Sequence, residues 1–539
     1  MINKDINKII IVGGGSAGWM SASTFSAFFP EKEIVVIESP DFPRMGVGES
    51  TLEQVRYWMH AVGIDIADFM KETDASLKLS IKFTDFYEKG AGSFHYPFGP
   101  CCIKNDEYKE VSCRKNYDSY DSNTWLIKKA IYPETPVEDF ASTYFPALAL
   151  IEKNKISYNF ENFNLERHSA LHFDAVKFAN WLRDVHCLPR GVKLIRGNVE
   201  HIISGDGEIK ELLVKGGDEK GIIGVKGDLF VDCTGSKSLL LEGSLNEEFI
   251  SYSDIIPNNR AWATHIPYVE KEKELKSYTE CTAIDNGWVW NIPLWSRVGT
   301  GYVYSDKYIS KEDALNEFKD HLIKKSDGNI EVDDLEFKDI KMKIGTHKRT
   351  WVNNCVAIGI AAGFIEPLES NGLLTIHEFL LKLVDTLSRG KINQWDIDAY
   401  NSFTFYMFNN FAQFVSLHYK LSVRDDTPYW KDVTTRSIGI KEIVHQTVDR
   451  DDFTHLINRK HDLHEYEKNT GITCIANGMN YPVLSYNNLM FNEYYNGDDY
   501  LGDIDCLIEF WEKMKKEWGE RAEKEMNLID FLQKEYYDS

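Results

Sequence analysis

The chain has 539 residues, 43% of them hydrophobic and 27% charged, and a formal net charge of −23. That length fits three or four domains of roughly 100–200 residues, and the composition is that of an ordinary globular protein. The acidic balance works against non-specific binding to nucleic acid or anionic lipid, and it leaves any anion site needing local positive charge of its own.

No apolar run reaches about 18 residues, so no spanning helix is expected. The polar stretch from Met1 to Lys8 runs directly into a strand and leaves no room for a signal peptide, so the expectation is a soluble, cytoplasmic protein. The nine cysteines are scattered and form no C-x-x-C, which reads as buried thiols in a reducing compartment.

In chain order, Lys8 to Val12 is a short apolar strand leading into Gly13-Gly14-Gly15-Ser16-Ala17-Gly18. Trp19 to Phe29 then reads as a helix closed by Pro30, and Glu33 to Ile37 as a second strand ending at Glu38. From Lys89 to about Asn164 the chain is rich in glycine, tyrosine and cysteine and shows little period. His172 to Arg183 reads as helix, and Val192 to Ile195, Glu208 to Lys215 and Asp228 to Val231 as strands, the last ending in Asp232-Cys233-Thr234-Gly235. Ser251 to Val303 reads mainly as strands and Lys311 to Lys325 as helix. Trp351 to Ile360 reads as one buried strand, Leu373 to Leu387 and Asn401 to Tyr419 as helices, and Ile504 to Tyr536 as a long amphipathic helix or helix pair.

Gly13-x-Gly15-x-x-Gly18 has a strand before it and a helix after it. Gly13 allows the tight turn, Gly15 lets backbone approach a pyrophosphate, and Gly18 permits close helix–strand contact, with Ser16 and Ala17 between them at the helix start. Glu38, twenty residues beyond Gly18 at a strand end, suits a ribose diol. A dinucleotide is therefore expected. His168 and His172 are four apart but lack the H-E-x-x-H context, so no metal site is expected.

Further segments resemble the flavin-dependent halogenases, best known for tryptophan. These are Gly46-Val47-Gly48-Glu49-Ser50-Thr51, Ser76-Leu77-Lys78-Leu79-Ser80, Trp288-Val289-Trp290-Asn291-Ile292-Pro293 (W-x-W-x-I-P), Glu366-Pro367-Leu368-Glu369-Ser370-Asn371-Gly372 and Arg424-Asp425-Asp426-Thr427-Pro428-Tyr429-Trp430. The resemblance runs from about Lys8 to Trp430. It implies an α/β fold: a discontinuous FAD-binding Rossmann-type, flavoprotein monooxygenase-like module (residues 1–90 and 165–395), with a mainly helical substrate module (91–164 and 396–539).

What the family does is then the expectation here. Reduced FAD from a separate reductase, oxygen and chloride, bromide or iodide give a hypohalous oxidant, which travels a tunnel to an aromatic substrate. The resemblance assigns Lys78 to holding or capturing that oxidant and Glu369 to holding the ammonium and taking the arene proton. It puts Val47, Gly48, Glu49, Ser50, Val199, Asp232, Gly235, Ile360 and Leu373 on the cofactor. Asn371 and Gly372 would cradle the halide through backbone N–H groups, with asparagine where the family usually has threonine. Trp288, Trp290, Pro367 and Ser370 would line the tunnel, and Tyr96 and Phe98 would stack on the substrate.

The family's clamp for an amino-acid backbone, a Y-Y-x-x-x-x-x-E pattern, is absent from the sequence between Asp451 and Cys474. That argues against free tryptophan and for another indole or a phenol. A flavin-dependent aromatic hydroxylase and a catalytically silent flavin-binding relative stay open as alternatives. A homo-oligomer is compatible with the sequence, which sets no number of subunits.

Overall fold

Lys8–Val12 reads Lys-Ile-Ile-Ile-Val and is buried along nearly its whole length, the pattern of a strand covered on both faces of a parallel sheet. It pairs in parallel with Glu33–Glu38 on one side and Leu229–Asp232 on the other. A computed structural model describes residues 5–41, 46, 48–100, 125, 128–129, 131–216, 221–437, 470–481 and 499–538. Val47 and most of the stretch searched for the amino-acid clamp lie outside the described residues.

These three strands are the centre of an eight-stranded sheet. Lys193–Gly205, Glu208–Gly216 and Ile222–Val225 extend it beyond Glu33–Glu38, and Cys355–Ala357 and Trp351–Val352 extend it beyond Leu229–Asp232. The helix Ser16–Phe28 crosses between the first two strands, giving the Rossmann-type βαβ unit. This α/β flavoprotein-type fold is the expected class.

A seven-stranded sheet runs in the order Lys338–Lys341, Arg260–Ile266, Val298–Tyr304, Gly287–Pro293, Tyr278–Ile284, Ser80–Thr84 and Ser93–Pro97. The boundary expected at residue 90 thus falls between two paired strands of one sheet. Every residue of Gly287–Pro293 is buried. Alternation puts Trp288, Trp290 and Ile292 into the main core, while Val289 joins Phe318 and Leu322 of the helix Lys311–Lys325 on the opposite face. Gly301 stands opposite Trp290, and a Cβ there would lie 2.2 Å from the indole, so glycine lets the ring cover the neighbouring strand.

A third sheet of only three strands links the other two. Its central strand, Ala170–Asp174, pairs with Gly48–Ser50 on one edge and with Ser76–Lys78 on the other. This corrects the helix expected from His172: the helix starts only at Ala175, because Asp174 caps it by accepting from the Lys177 N–H at 2.8 Å. Trp351 to Ile360 is likewise two short strands, turned at Asn353 with φ of 49° and followed by a 3-10 turn. The C-terminal stretch is the helix pair of the two expected forms: Asp499–Ala522 stops before a short strand at Met526–Asn527, and Leu528–Leu532 continues in a π-helical stretch over Gln533–Tyr537.

No helix among the described residues is long and apolar enough to cross a membrane. Cys187, Cys233, Cys281, Cys355 and Cys474 are buried and form no disulfide.

Candidate active site

The glycine turn forms as its residue types require. Gly13 has φ of 120°, and a Cβ on it would lie 2.2 Å from the Cys233 carbonyl, so only glycine lets the two strand ends come this close. The helix Ser16–Phe28 begins with no side-chain cap and no acid in its first turn, which leaves its positive end uncompensated. Beside Gly15 and Gly235 no protein atom lies within 4 Å of a Cβ position, so both turns border space open to a ligand. Glu38 stands at the end of its strand, 3.7 Å from Arg183.

Other expected cofactor residues sit around this space in different ways. Ile360 is 40% exposed although Gly359 and Ala361 beside it are buried. Leu373 is buried, and Val199 is partly covered in the strand Lys193–Gly205. Asp232 does not reach outward: its carboxylate accepts from the N–H groups of Thr234, Leu240 and Leu241 at 3.0, 2.7 and 3.0 Å and so shapes the turn that carries Gly235. Glu49 is half-buried in its strand, and desolvation with the nearby Asp174 charge pushes its carboxyl up to about 7. This arrangement of open glycine turns, uncapped helix end and strand-end acid fits a dinucleotide flavin.

Lys78 ends the strand Ser76–Lys78 and is fully buried. Its Nζ donates to the Thr51 carbonyl at 2.8 Å and to Ser370 Oγ at 2.9 Å, and lies 5.0 Å from the centre of the Phe98 ring. Burial pushes its pKa down to about 7, against the opposing pull of Cys281 and Glu369. As a neutral amine it has two N–H bonds for its two acceptors and keeps one lone pair uncommitted, the arrangement a nucleophile needs.

Ser370 passes the contact on. Its Oγ is 3.0 Å from Ser50 Oγ, which is 2.6 Å from Thr279 Oγ1, which is 2.8 Å from His172 Nε2. His172 Nδ1 is 3.3 Å from Ser76 Oγ, and Ser76 donates to the Pro293 carbonyl. Because a carbonyl only accepts, the direction of every bond follows. Ser76 gives its proton to Pro293, so it accepts from His172 Nδ1–H, and His172 Nε2 accepts from Thr279. Burial and the Lys78 charge hold His172 well below its ordinary pKa, which supplies the neutral ring this order requires. The chain therefore runs one way from Lys78 to Pro293, the last residue of W-x-W-x-I-P. Of this hydrogen-bonded chain only Lys78, Ser50 and Ser370 are expected site residues. Thr51 and Ser76 fall inside the motif segments, whereas His172 and Thr279 carry no such sequence signal.

Glu369 is 1% exposed, in a 3-10 turn over Pro367–Glu369. Its charge acts on Lys78 and favours the ammonium, with no hydrogen bond between the two side chains. Lys78 is held by Thr51 and Ser370, and Glu369 Oε1 instead lies 2.7 Å from His418 Nε2. Ser370 takes φ of 56°, turning the chain into the helix Asn371–Leu387. That helix too starts with no side-chain cap and no acid in its first turn. Asn371 is buried with its Nδ2 unpaired, and beside Gly372 no atom lies within 4 Å of a Cβ position. An anion at this helix start would meet backbone N–H groups and one spare amide.

Trp288 and Trp290 sit side by side with ring centroids 6.2 Å apart. Near them Glu366 is buried and accepts from Asn258 Nδ2 at 2.8 Å and from the Tyr419 hydroxyl, and burial pushes its carboxyl up to about 7. Tyr96 and Phe98 meet edge to face at 5.7 Å, and the helix Thr470–Gly478 packs Gly471 against Tyr96. The site thus joins a buried amine, a carboxylate, a bare helix start and aromatic walls.

The family model for tryptophan halogenase matches residues 8–485. The chain belongs to that family. It is 32% identical over 463 residues to the tryptophan 6-halogenase SttH of Streptomyces toxytricini, covering 81% of this chain and 83% of that protein. Identity to the tryptophan 7-halogenase RebH of Lentzea aerocolonigenes is 30% over 441 residues, covering 79% of this chain and 78% of the relative. Among solved structures, VirX1 in its apo form superposes with a TM-score of 0.86 at 34% identity, over 99% of this chain and 100% of that one.

This protein is accordingly a flavin-dependent halogenase, an oxidoreductase that uses FAD reduced by a separate flavin reductase and a halide as co-substrate. The open glycine turns at Gly13–Gly18 and Gly235 would hold the reduced FAD, which would supply, with oxygen, the two-electron oxidation of the halide.

Proposed function

We propose that this halogenase acts on an electron-rich indole or phenol other than free tryptophan, with Lys78 delivering the oxidant. The observation that carries the reading is the buried Lys78 amine, poised near 7 and held by Thr51 and Ser370 beside the Phe98 ring. Desolvation keeps the amine close to neutrality, so it can polarise a hypohalous acid as a donor or capture its halogen as a nucleophile. Asn371 and Gly372 hold the halide, Trp288, Trp290 and Pro367 wall the path, and Glu369 takes the proton from the halogenated ring carbon. Tyr96 and Phe98 offer the aromatic surface for the substrate.

SttH and RebH are by name tryptophan halogenases. Against that substrate here stands the sequence between Asp451 and Cys474, which lacks the paired tyrosines and glutamate that would grip an amino-acid backbone. A cytoplasmic setting, in which buried thiols stay reduced, suits the five buried cysteines. Self-association into a homo-oligomer is compatible with this reading and left to measurement.

The test is product analysis by mass with reduced FAD, oxygen, bromide and a panel of indoles, phenols and free tryptophan. Brominated arene with tryptophan turned over poorly is the expected result. Preferred turnover of free tryptophan would overturn the substrate reading. Hydroxylated arene alone would make the protein a hydroxylase, and flavin oxidation without arene product would make it a silent relative.

A further inference from the structure

His418 is fully buried in the last turn of the aromatic helix Gln394–Lys420, with the Phe83 ring centre 4.8 Å away and Phe86 and Phe414 around it. Its Nδ1 lies 3.2 Å from the Phe414 carbonyl one turn earlier. That oxygen can only accept, so Nδ1 carries a hydrogen. A neutral ring would then present a bare lone pair at Nε2, 2.7 Å from Glu369 Oε1. Two lone pairs cannot face each other at that distance in an apolar surround, so one proton lies between them.

We propose that His418 is the positioning residue of the proton acceptor: its Nε2 pairs with Glu369 Oε1, fixes the carboxylate in place and leaves Oε2 as the base. Among the described residues neither Glu369 oxygen nor His418 Nε2 forms a hydrogen bond, so the 2.7 Å contact between them is a bare ion pair and Oε2 is buried and uncommitted. The proposal rests on the halogenase reading and adds a residue to it.

The step balances as follows. The ring carbon takes the halogen from the hypohalous acid, whose hydroxide leaves with a proton from the Lys78 ammonium as water. The C–H bond at the same carbon breaks, its electron pair returns to the ring, and the proton goes to Oε2. Transfer of that proton from Glu369 to Lys78 restores the start. Throughout, the 2.7 Å contact at Oε1 keeps the buried carboxylate in one orientation.

His418→Asn retains an amide near Phe414 but cannot reach Glu369, whereas His418→Gln puts a donor back toward Oε1. With reduced FAD, bromide and ring-deuterated against ordinary indole, the asparagine variant should lose about tenfold or more in product per oxidant formed, the scale of a displaced general base. Background is taken from Lys78→Ala. A substrate isotope effect should appear in the asparagine variant where the parent has none, because proton removal becomes limiting. His418→Gln should restore most of the product, and in a Glu369→Gln background His418→Asn should add less than about twofold.

Unchanged product per oxidant, no isotope effect, or a full multiplicative loss in the Glu369→Gln background would overturn the proposal. A folding failure of His418→Asn is met by nitrogen-15 histidine NMR of the FAD-loaded parent. One histidine should carry protons on both ring nitrogens, and Glu369→Gln should abolish that signal; its absence from the parent would overturn the proposal. Lack of any brominated indole from the parent enzyme would instead count against the halogenase reading, with the NMR result still deciding the histidine's role.

Discussion

Ser370 Oγ accepts a hydrogen bond from Lys78 Nζ at 2.9 Å across 292 residues of sequence. Ser370 leads into the uncapped helix start at Asn371, and Lys78 ends a strand whose own Ser76 reaches the W-x-W-x-I-P run through Pro293. One contact therefore ties the buried amine, the uncapped helix start and the strand of the paired tryptophans into a single unit.

Breaking that unit in its middle should move the lysine without touching it. Thr279→Val removes the hydroxyl between Ser50 and His172 and leaves His172 Nε2 buried without a donor. The expected cost is about 1–3 kcal/mol in denaturant unfolding. Halogenation should fall while FAD affinity measured by flavin fluorescence stays within about twofold. Unaltered stability would show that the chain of hydroxyls contributes nothing.

A buried lysine with no better purpose is a burden on the fold, and that burden has a pH signature. Lys78 deprotonates near 7 in the folded protein and near its ordinary 10.5 when unfolded. Between these values the unfolded chain binds the extra proton, so this group makes stability rise with pH; below 7 its full penalty is present. Lys78→Met should therefore abolish halogenation and raise stability by on the order of 1–2 kcal/mol at pH 6.5. The gain should shrink as pH climbs through the window from 7 to 10.5. Thermal melts of both proteins across that range check the slope.

Much of the cofactor half was legible in the sequence because its signals are local. The strand Lys8–Val12, the glycine turn and Glu38 lie within one βαβ unit, and each residue type is required by backbone geometry next to it. The hydrogen-bonded chain was not legible. It joins residues 50, 76, 78, 172, 279, 293 and 370, which share no spacing, and serine and threonine hydroxyls leave no periodic trace. His172 was misread as helical because an apolar run of that length carries no decisive period, although Asp174, a good cap residue, marked the true helix start. Glu369 lies in a motif segment but its partner does not, since His418 lies 49 positions on, in a helix that carries no motif.

The glycine turn gives a sharper prediction for FAD itself. Gly13→Ala would force a Cβ to within 2.2 Å of the Cys233 carbonyl and oppose the φ of 120°. FAD affinity should weaken by at least about tenfold, with the protein destabilised by roughly 1–3 kcal/mol. Equilibrium titration of FAD measures the first and chemical unfolding the second.

Asn371 has a buried side-chain amide with no partner at the helix start. Asn371→Asp would replace that donor with a negative charge beside the anion site. The halide KM should rise by about tenfold or more, while the affinity for FAD holds. Steady-state rates against bromide and chloride concentration provide the check, and an unchanged halide KM would remove Asn371 from the anion site.

The central claim is that Lys78 carries the oxidant to the arene. Its most direct test compares the parent with Lys78→Ala under reduced FAD, oxygen and bromide, on the arene the parent turns over best, with methionine present to scavenge free hypobromite. Brominated arene from the parent, and loss of at least about a hundredfold in the variant with FAD binding intact, is the predicted result. Undiminished bromination by Lys78→Ala under the same scavenger would contradict it.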